Sequence, residues 1–542
     1  MAGIYRAAFW QTTHYPHAMS PFTKILQKWL PGSRQERSPF ATLHSTRRWV
    51  EQLQFHHEYE AHQLVVDALN QFNLSTAVLD ERRLHILAML RHAGGALQEG
   101  MVTQYLKNQT AFRYAGKSLW QEIFVFYWQL ALAYQSFVKA ATRNQPALDQ
   151  QLPAITLLAL HYQGKLIQWR YMRYETPTSD AWRNVHALYA IAECNGFAER
   201  RLMLSDNVEA SCTHLYAHIL LLNLINPLGL CPWKIELTAH WIHSWCRQLQ
   251  PATLFDPQSH THWLDLAGCE PLHRIGDRPV EGNALRYWSL QSVLTALEIT
   301  RTQLINPPAS PLDAIKNEAD VPGLLDDIRA ILKRGGPQRH TPRQQQNMSA
   351  LLVCGFEQVL HTLSGAAGSK RTAPLEPWIM QDEGNDGSGL THYGTPVSIP
   401  DHGALIGLRT EVKAHPWVLA AVRWIDQQPG HPVKLGAERL GTAPRVVALH
   451  GVGHLMSESI FCLVNPPADC MPTPGIFLPA QDARRFSSAL VVGDMSIAAT
   501  QLYDMLDGDY IYRVRITHEQ DRSHDWLLLK FNILTRRHVG MV

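Results

Sequence analysis

The sequence predicts an α+β protein of several domains, with an all-α N-terminal part and a C-terminal part of antiparallel β-barrels. From about residue 45 to 335, apolar residues recur at steps of three and four, which is the period of an amphipathic helix. From about residue 336 onward, the apolar runs are short, many alternate with polar residues, and Gly, Pro and Asp separate them. This change of period along the chain indicates helices first and strands afterwards.

Length and charge limit the kinds of function. The chain has 542 residues, of which 46% are hydrophobic, so we expect several hydrophobic cores of ordinary size rather than one. Its 49 Lys and Arg residues nearly balance its 47 Asp and Glu residues. Because no overall field attracts nucleic acid or an anionic membrane, any recognition of anions has to be local.

The clearest helices of the N-terminal part lie at residues 118–141 and 177–196. In the first, Ile123, Phe126 and Leu130 recur at helical steps and aromatic residues fill the flanks, so we expect burial on most sides. In the second, Thr, Ser and Asp stand at the start and Gly196 stands at the end. Weaker helical patterns occupy residues 46–72, 80–93, 148–173, 206–226, 234–249, 284–303 and 321–334.

No strict 34-residue repeat is found in this part of the sequence. Residues 1–335 are therefore predicted to form a helical bundle or an irregular helical repeat, with a face that docks a protein partner. Residues 215–233, LYAHILLLNLINPLGLCPW, are apolar but contain His218 and Pro227, so they predict a buried helix ending at Pro227 rather than a membrane span. Since the first residues also lack the apolar core of a secretory signal, a cytoplasmic protein is expected.

Signatures of enzymes and of metal sites are weak. FHHEYEAH (55–62) has its second histidine five residues after His57, which is one too many for a metalloprotease helix. HWIHSWC (240–246) spaces two histidines and a cysteine by three but has no evident fourth ligand. The eight cysteines lack paired short spacings, which predicts reduced thiols, and neither a serine-hydrolase elbow nor a phosphate-binding P-loop is present. We expect neither enzymatic activity nor a bound metal ion. The alternative is a hydrolase that uses the histidines of the helical part, and such a hydrolase would need a metal ion.

The texture of the sequence changes at residues 332–346, LKRGGPQRHTPRQQQ, which are basic and rich in Gly, Pro and Gln and predict a linker. Residues 336–450 are predicted to form a barrel with this linker at its start and one helix at 356–363. Residues 451–542 are predicted to form a further β module, and a second barrel is one candidate for its structure. The runs that predict strands are SALLVCGF, PWIMQD, ALIGLRTEV, WVLAAVRWID, PVKLGAERL, PRVVAL, GIFLPA, SSALVVGDM, DYIYRVRI and DWLLLKFNIL.

The linker carries Arg339 and Arg343 on either side of Pro342. Proline fixes its own backbone and moves the preceding residue out of the helical region, so the two arginines belong to an extended or turning segment and can point into one concavity. The guanidinium group pairs with phosphate oxygens, stacks on rings and donates to guanine O6 and N7. A guanine nucleotide offers all three targets.

A second element follows in WIMQDEGNDGSGL (378–390), which predicts a strand ending at Asp382. Gly384, Gly387 and Gly389 are then predicted to form a loop that approaches a ligand closely and adopts positive φ. A carboxylate at such a corner can accept from the N1 and N2 edge of guanine. The next two predicted strands carry Arg409 and Arg423.

Together these features resemble the PilZ domain, a bacterial six-stranded barrel that binds cyclic di-GMP. The family has R-x-x-x-R on its N-terminal linker, matched here by Arg339 and Arg343, and [D/N]-x-S-x-x-G on the barrel, matched by Asp382 and Gly387. Gly384 stands where the family has serine. A second register, with Asp386 and Ser388, keeps the serine but places Thr391 where the glycine belongs. The resemblance covers about residues 336–450.

The resemblance implies a non-enzymatic bacterial signalling protein that binds cyclic di-GMP. The linker would wrap the dinucleotide onto the barrel and, once ordered, change how the helical half sits against the β half. The alternative is a degenerate barrel that binds no nucleotide and serves only in protein assembly. The replacement of the family's serine by Gly384 would then reflect the loss of binding. The ligand contacts that the resemblance and the two strand arginines imply are Arg339, Arg343, Asp382, Gly384, Gly387, Arg409 and Arg423.

Overall fold

The structure is a computed structural model. It describes residues 40, 42–107, 113–143, 146–205, 208–230, 232–276, 282, 284–305, 321–334, 344–365, 375–384, 387–397, 399–410, 416–427, 431–452, 472–479, 488–494, 496–497, 501–523 and 525–539. These residues show a helical N-terminal part and two closed antiparallel barrels in the C-terminal part, which confirms the predicted fold class.

The helices α1 to α10 of the N-terminal part are Leu43–Gln52, Glu58–Leu74, Glu81–Lys107, Arg113–Thr142, Leu152–Tyr171, Ser179–Cys194, Cys212–Leu224, Pro232–Trp245, Gln291–Ile305 and Val321–Arg334. The start of α6 is the one that the sequence predicted: the Thr178 side chain accepts a hydrogen bond from the amide of Ala181. Gly196 follows its end at φ +73°, the left-handed conformation that favours glycine. In α4, Ile123, Phe126 and Leu130 are buried as expected, although Trp128 is 42% exposed.

Three of the predicted helices are interrupted or shortened. Residues 46–72 form two helices because the chain turns through a short 3₁₀ segment at Leu53–Phe55. The helix predicted at 206–226 starts only at Cys212, after the two-stranded sheet of β1 (Leu202–Ser205) and β2 (Val208–Ala210), and ends at Leu224, ahead of Pro227. The helix predicted at 284–303 loses its start to a strand. That strand belongs to the sheet of β3 (His262–Asp265), β4 (His273–Arg274) and β5 (Leu285–Trp288), ordered β4-β3-β5.

The first barrel has the strand order β10-β11-β8-β7-β6-β9. Its strands are β6 (Gln344–Cys354), β7 (Glu376–Gly384), β8 (Gly387–His392), β9 (Leu405–Thr410), β10 (Val418–Asp426) and β11 (Val433–Thr442). Helix α11, Phe356–Leu363, lies where the sequence predicted a helix. The last residues of the predicted linker, from Gln344 on, are already part of a strand.

The second barrel has the strand order β12-β13-β14-β17-β16-β15. Its strands are β12 (Arg445–Gly451), β13 (Thr473–Leu478), β14 (Ala489–Val492), β15 (Leu502–Asp507), β16 (Tyr510–Arg522) and β17 (Leu527–His538). Strand β12 lies in the segment predicted for the first barrel, yet it pairs with β13 and β15 of the second. No predicted strand corresponds to β15.

Each barrel has its own apolar core, and a third apolar cluster joins the two barrels. Alternate residues of β10 and β11, such as Val422, Leu435 and Ala437, fill the first barrel. On the outside of that barrel, Phe356 of α11 packs with residues of both barrels, among them Trp526, whose indole donates to the Gly403 carbonyl at 2.9 Å. The two barrels are therefore joined by buried apolar contacts rather than by a chain connection alone.

The chain divides into two compact units. One contains residues 338–542 with the short segments 174–176 and 228–231, and the other contains the rest. In the unit of the barrels, the ring of Tyr174 stacks on His402 with 4.8 Å between ring centroids. Among the described residues, no helix combines the length and the hydropathy that a membrane crossing requires.

Candidate functional site

The β7–β8 hairpin carries the second predicted motif, and it differs from the predicted loop. Gly384 ends β7, whereas Gly387 and Gly389 lie inside β8 and pair with Gly384 and Asp382. None of the three glycines has positive φ. The prediction of a left-handed glycine loop was therefore wrong. A Cβ at Gly387 would overlap the Ala437 carbonyl oxygen, so this glycine lets the backbone of β11 come close, and Gly389 leaves room for the Asp382 carboxylate.

A row of four paired residues crosses the outer face of the barrel at this hairpin. Trp424 on β10 pairs with Gly436 on β11, Gly436 pairs with Gly389 on β8, and Gly389 pairs with Asp382 on β7. Because Leu435 and Ala437 point into the core, Gly436 between them faces outward. We call Gly389 and Gly436 the glycine floor.

Side chains from both ends of the row lean over the glycine floor. A Cβ atom at Gly436 would overlap the indole nitrogen of Trp424, and one at Gly389 would lie 2.9 Å from Oδ1 of Asp382. The Gly389 amide donates to this Oδ1 at 3.1 Å, which fixes the carboxylate in place. Directly opposed residues have Cβ positions about 5 Å apart, so an indole N–H and a carboxylate face each other across bare backbone.

Two ion pairs border the floor. On the outer face, Arg423 Nε lies 2.6 Å from Oε2 of Glu438, the residue that pairs with Gly387. At the mouth of the barrel, Arg439 pairs with Glu383, and both side chains are less than one-third exposed. The arginines that the structure describes at this corner are thus engaged by carboxylates.

The linker arginines Arg339 and Arg343 lie outside the described residues. The described chain resumes at Gln344, which pairs with Glu383, and Gln345 pairs with Asp382. Since consecutive Cα atoms are about 3.8 Å apart, the linker joins the barrel beside the motif on β7. Sequence reasoning could not establish this adjacency, which depends on the register between β6 and β7.

The remaining predicted residues separate into two groups. Arg423 lies at this corner, on β10 two strands away from Gly387. Arg409 does not: it pairs with Leu351, roughly 20 Å along β6 from Gln345, and its guanidinium lies 4.7 Å from the ring centroid of Trp417. The structure thus does not bring Arg409 together with the hairpin motif.

The second register of the motif finds no support in the position of its serine. Ser388 is 5% exposed and lies on the same side of β8 as the core residue Leu390. Its partner in that register, Asp386, lies outside the described residues. Because an outer-face ligand cannot reach the Ser388 hydroxyl, the register with Asp382 and Gly387 fits the outer face better.

Three features of this corner were not predicted from the sequence: Trp424, Gly436 and the ion pair of Glu383 with Arg439. A signal for the first two was available: an outward tryptophan in VRWID and an outward glycine in KLGAE, on consecutive predicted strands. An indole lying flat on a sheet requires glycine on the neighbouring strand. The ion pair had no such signal because strand β8 separates its two members.

His57 and His62, the two histidines compared with a metalloprotease helix, have structural partners. His57 caps α2 by accepting from the Tyr59 amide at 3.4 Å. His62 is fully buried, and its Nε2 lies 2.7 Å from Oε1 of Gln98. Burial lowers the pKa of His62. Within the part of the chain that is described, no group of three His, Cys, Asp or Glu side chains is arranged to hold a metal ion.

Comparison with protein families relates the helical part to a described domain. Residues 44–257, about two-fifths of the chain and all within the helical part, match the family model described as the N-terminal domain of the cyclic-di-GMP receptor FimW. A comparison with curated proteins gave no match. The matched segment does not include the barrels.

Proposed function

We propose that this protein is a non-enzymatic bacterial receptor that binds cyclic di-GMP on the outer face of its first barrel. One observation carries the proposal: two segments that do not overlap point to the same ligand. Residues 44–257 match a domain of a cyclic-di-GMP receptor, and residues 336–450 independently resemble the PilZ barrel. The glycine floor supplies a surface for the ligand.

One guanine base lies beside the glycine floor, against the Trp424 and Asp382 side chains that lean over it. The Asp382 carboxylate, oriented by the Gly389 amide, accepts from guanine N1–H and N2–H. Trp424 provides an aromatic face for stacking at the other end of the row. Base stacking on an aromatic side chain contributes about 1–3 kcal/mol.

The phosphates bind Arg339 and Arg343. Around the floor the described charges are Arg423, Arg439 and Lys434 against Asp382, Glu383, Glu438 and Asp426, which leaves an excess of one negative charge. Such a corner repels a dianionic dinucleotide. The two linker arginines reverse the sign, and the pairing of Gln344 with Glu383 supports their reach to this surface.

The remaining predicted contacts differ in strength. Gly384 and Gly387 contribute backbone at the hairpin, and Arg423 contributes through the Glu438 pair at the border of the floor. Arg409 makes no contact with this ligand, because it stacks on Trp417 elsewhere on the barrel.

Ligand binding orders the linker between the helical part and the first barrel. A linker held by a dinucleotide loses conformational freedom, and a partner of the helical domain that prefers the ordered state then binds more tightly. The site of action we propose is the bacterial cytoplasm, where cyclic di-GMP is present.

Isothermal titration calorimetry on the full chain tests the proposal. We expect cyclic di-GMP to bind with a Kd at least about tenfold below that of GTP, and Arg339→Ala and Arg343→Ala to weaken it by a further tenfold or more, since each loses a charge-assisted contact. Arg537→Ala, which removes an exposed arginine of β17, is the matched control. No heat with cyclic di-GMP on wild-type protein, or equal affinity for GTP, overturns the assignment.

A second function is favoured by one observation, the glycine at position 384 where PilZ domains have serine. In that case the barrel binds no nucleotide and acts only as an assembly surface. The loss of one hydroxyl hydrogen bond costs about 0.5–1.5 kcal/mol, which weakens binding without removing it. The same titration separates the two functions, because the assembly scaffold gives no heat with or without Arg339.

A further inference from the structure

The helical unit contains a cavity of about 170 Å³ that the proposed receptor function does not use. It lies between α5, α7 and α8, with Leu204 of β1 at its side. An engineered cavity of about 150 Å³ is large enough to hold benzene. The space therefore suits a molecule of roughly six to ten heavy atoms.

One wall of the cavity is aliphatic and includes Leu160, Leu215 and Ile219. The polar lining includes the imidazoles of His161, His218 and His243 and, at an exposed position, that of His240. Among the described residues, His218 Nδ1 is buried and has no hydrogen-bond partner. A buried polar atom without a partner costs about 1–3 kcal/mol, so this polar lining is built for a partner.

The lowered pKa values of His161, His218 and His243 keep these imidazoles neutral at physiological pH. Burial, reinforced by the charge of Lys165, lowers the pKa of His161 to about 3. Burial and the neighbouring His214 lower that of His243 to about 4. Each neutral ring offers one donor and one acceptor. The cavity thus has no cluster of positive imidazoles that would select a simple anion.

Two opposite charges face the cavity without meeting. Lys165 Nζ donates to Gln168 Oε1 at 3.2 Å, and Gln168 Nε2 donates to Glu236 Oε2 at 2.7 Å. Through the Gln168 amide, the ammonium and the carboxylate are separated by at most about 8 Å. A ligand that carries both a carboxylate and an ammonium group can bridge this distance with one hydrogen bond at each end.

We propose that this cavity is a binding site for a small zwitterion of the α-amino-acid type with an aliphatic side chain. The ligand carboxylate binds Lys165 and an imidazole N–H, the ligand ammonium binds Glu236, and the side chain packs on the Leu160 wall. Lys165, Glu236 and one imidazole N–H then each have a partner on the ligand, and the apolar wall is covered. The site is independent of the barrel and does not rest on cyclic di-GMP binding.

Thermal unfolding and calorimetry of the full chain test this site, with the proteinogenic L-amino acids at millimolar concentration as probes. We expect at least one aliphatic amino acid to raise the Tm and release heat. Its decarboxylated amine and its deaminated acid should each bind at least about tenfold weaker, because each lacks one of the two charges. If no amino acid raises the Tm, or if either analogue binds as tightly as the parent, the proposal is wrong.

Protein variants give a second test that does not depend on the analogues. Lys165→Met and Glu236→Gln should reduce the Tm increase, whereas Lys234→Met, a lysine of α8 outside the cavity wall, should leave it unchanged. An amino-acid effect of full size in folded Lys165→Met protein contradicts the assignment. Should that variant not fold, the comparison of ligand analogues on wild-type protein decides.

Discussion

Glu383 and Arg439 form an ion pair across the mouth of the first barrel, although strand β8 separates their strands. Both side chains lie on the inner side of the barrel wall, as the alternation from Leu435 and Ala437 shows. Arg439 Nε is buried and has no hydrogen-bond partner. The carboxylate therefore holds an arginine at the position where the linker joins the barrel, and it adds a negative charge to the corner that we propose binds a dianion.

Replacing Glu383 by Gln should strengthen cyclic di-GMP binding by roughly threefold at low salt. One charge about 10 Å from a dianion, largely in water, contributes on the order of 0.5–1 kcal/mol. Loss of this partly exposed ion pair should lower the free energy of unfolding by about 1 kcal/mol. Calorimetry at two salt concentrations measures the gain, which added salt should reduce.

The matched control for this change is Glu357→Gln, in the first turn of α11. It removes the same charge from an exposed position away from the hairpin, so we expect no change in Kd. Equal gains in both variants would show a general charge effect rather than one at the corner.

The glycine floor predicts an asymmetric response to alanine. At Gly436, a methyl group overlaps the Trp424 indole and must displace it. We expect Gly436→Ala to lower the free energy of unfolding by about 1–3 kcal/mol and to weaken cyclic di-GMP binding at least tenfold. Denaturant unfolding and calorimetry measure the two effects.

Gly451→Ala provides the comparison, because a Cβ at that strand position meets nothing within 4 Å. It should unfold like the wild type and bind the dinucleotide normally. A Gly436→Ala protein that behaves in the same way would mean that Trp424 is not held over the floor.

The positions of Trp424 and Arg409 lead to opposite expectations. Trp424→Ala should weaken cyclic di-GMP binding by about tenfold, the value of one stacking contact, and Trp424→Phe should retain most of the affinity. Arg409→Ala should leave the Kd within about twofold, because the guanidinium stacks on Trp417 instead. A large loss of affinity in Arg409→Ala would contradict the position of the site on the hairpin side.

The sequence predicted the change from helices to barrels because periodicity is a local signal that a single strand or helix carries by itself. It did not predict β8, whose glycines 387 and 389 have the composition of a loop. What makes them a strand is the pairing with β7 and β11 on either side. Likewise, the motif on β7 can be recognised from its sequence. That Trp424 lies near this motif depends on the register of four strands.

Buried histidines predict that acid destabilises the helical unit. His186 is fully buried; its Nδ1 lies 2.7 Å from the Tyr216 hydroxyl and its Nε2 lies 2.8 Å from the Glu270 carbonyl. Burial lowers its pKa to about 4, and burial followed by the charge of Arg274 lowers that of His262 to about 4. Below pH 6.5 the unfolded chain therefore binds protons that the folded chain does not, so stability falls as the pH falls from 6.5 towards 4. For His186 alone the loss at pH 5 is about 2 kcal/mol.

Denaturant unfolding between pH 7 and pH 5 measures this slope, and His186→Gln should make it shallower. Substitution of His85, a histidine on the exposed face of α3, should leave the slope unchanged. A slope that His186→Gln leaves unchanged would assign the acid sensitivity to other groups.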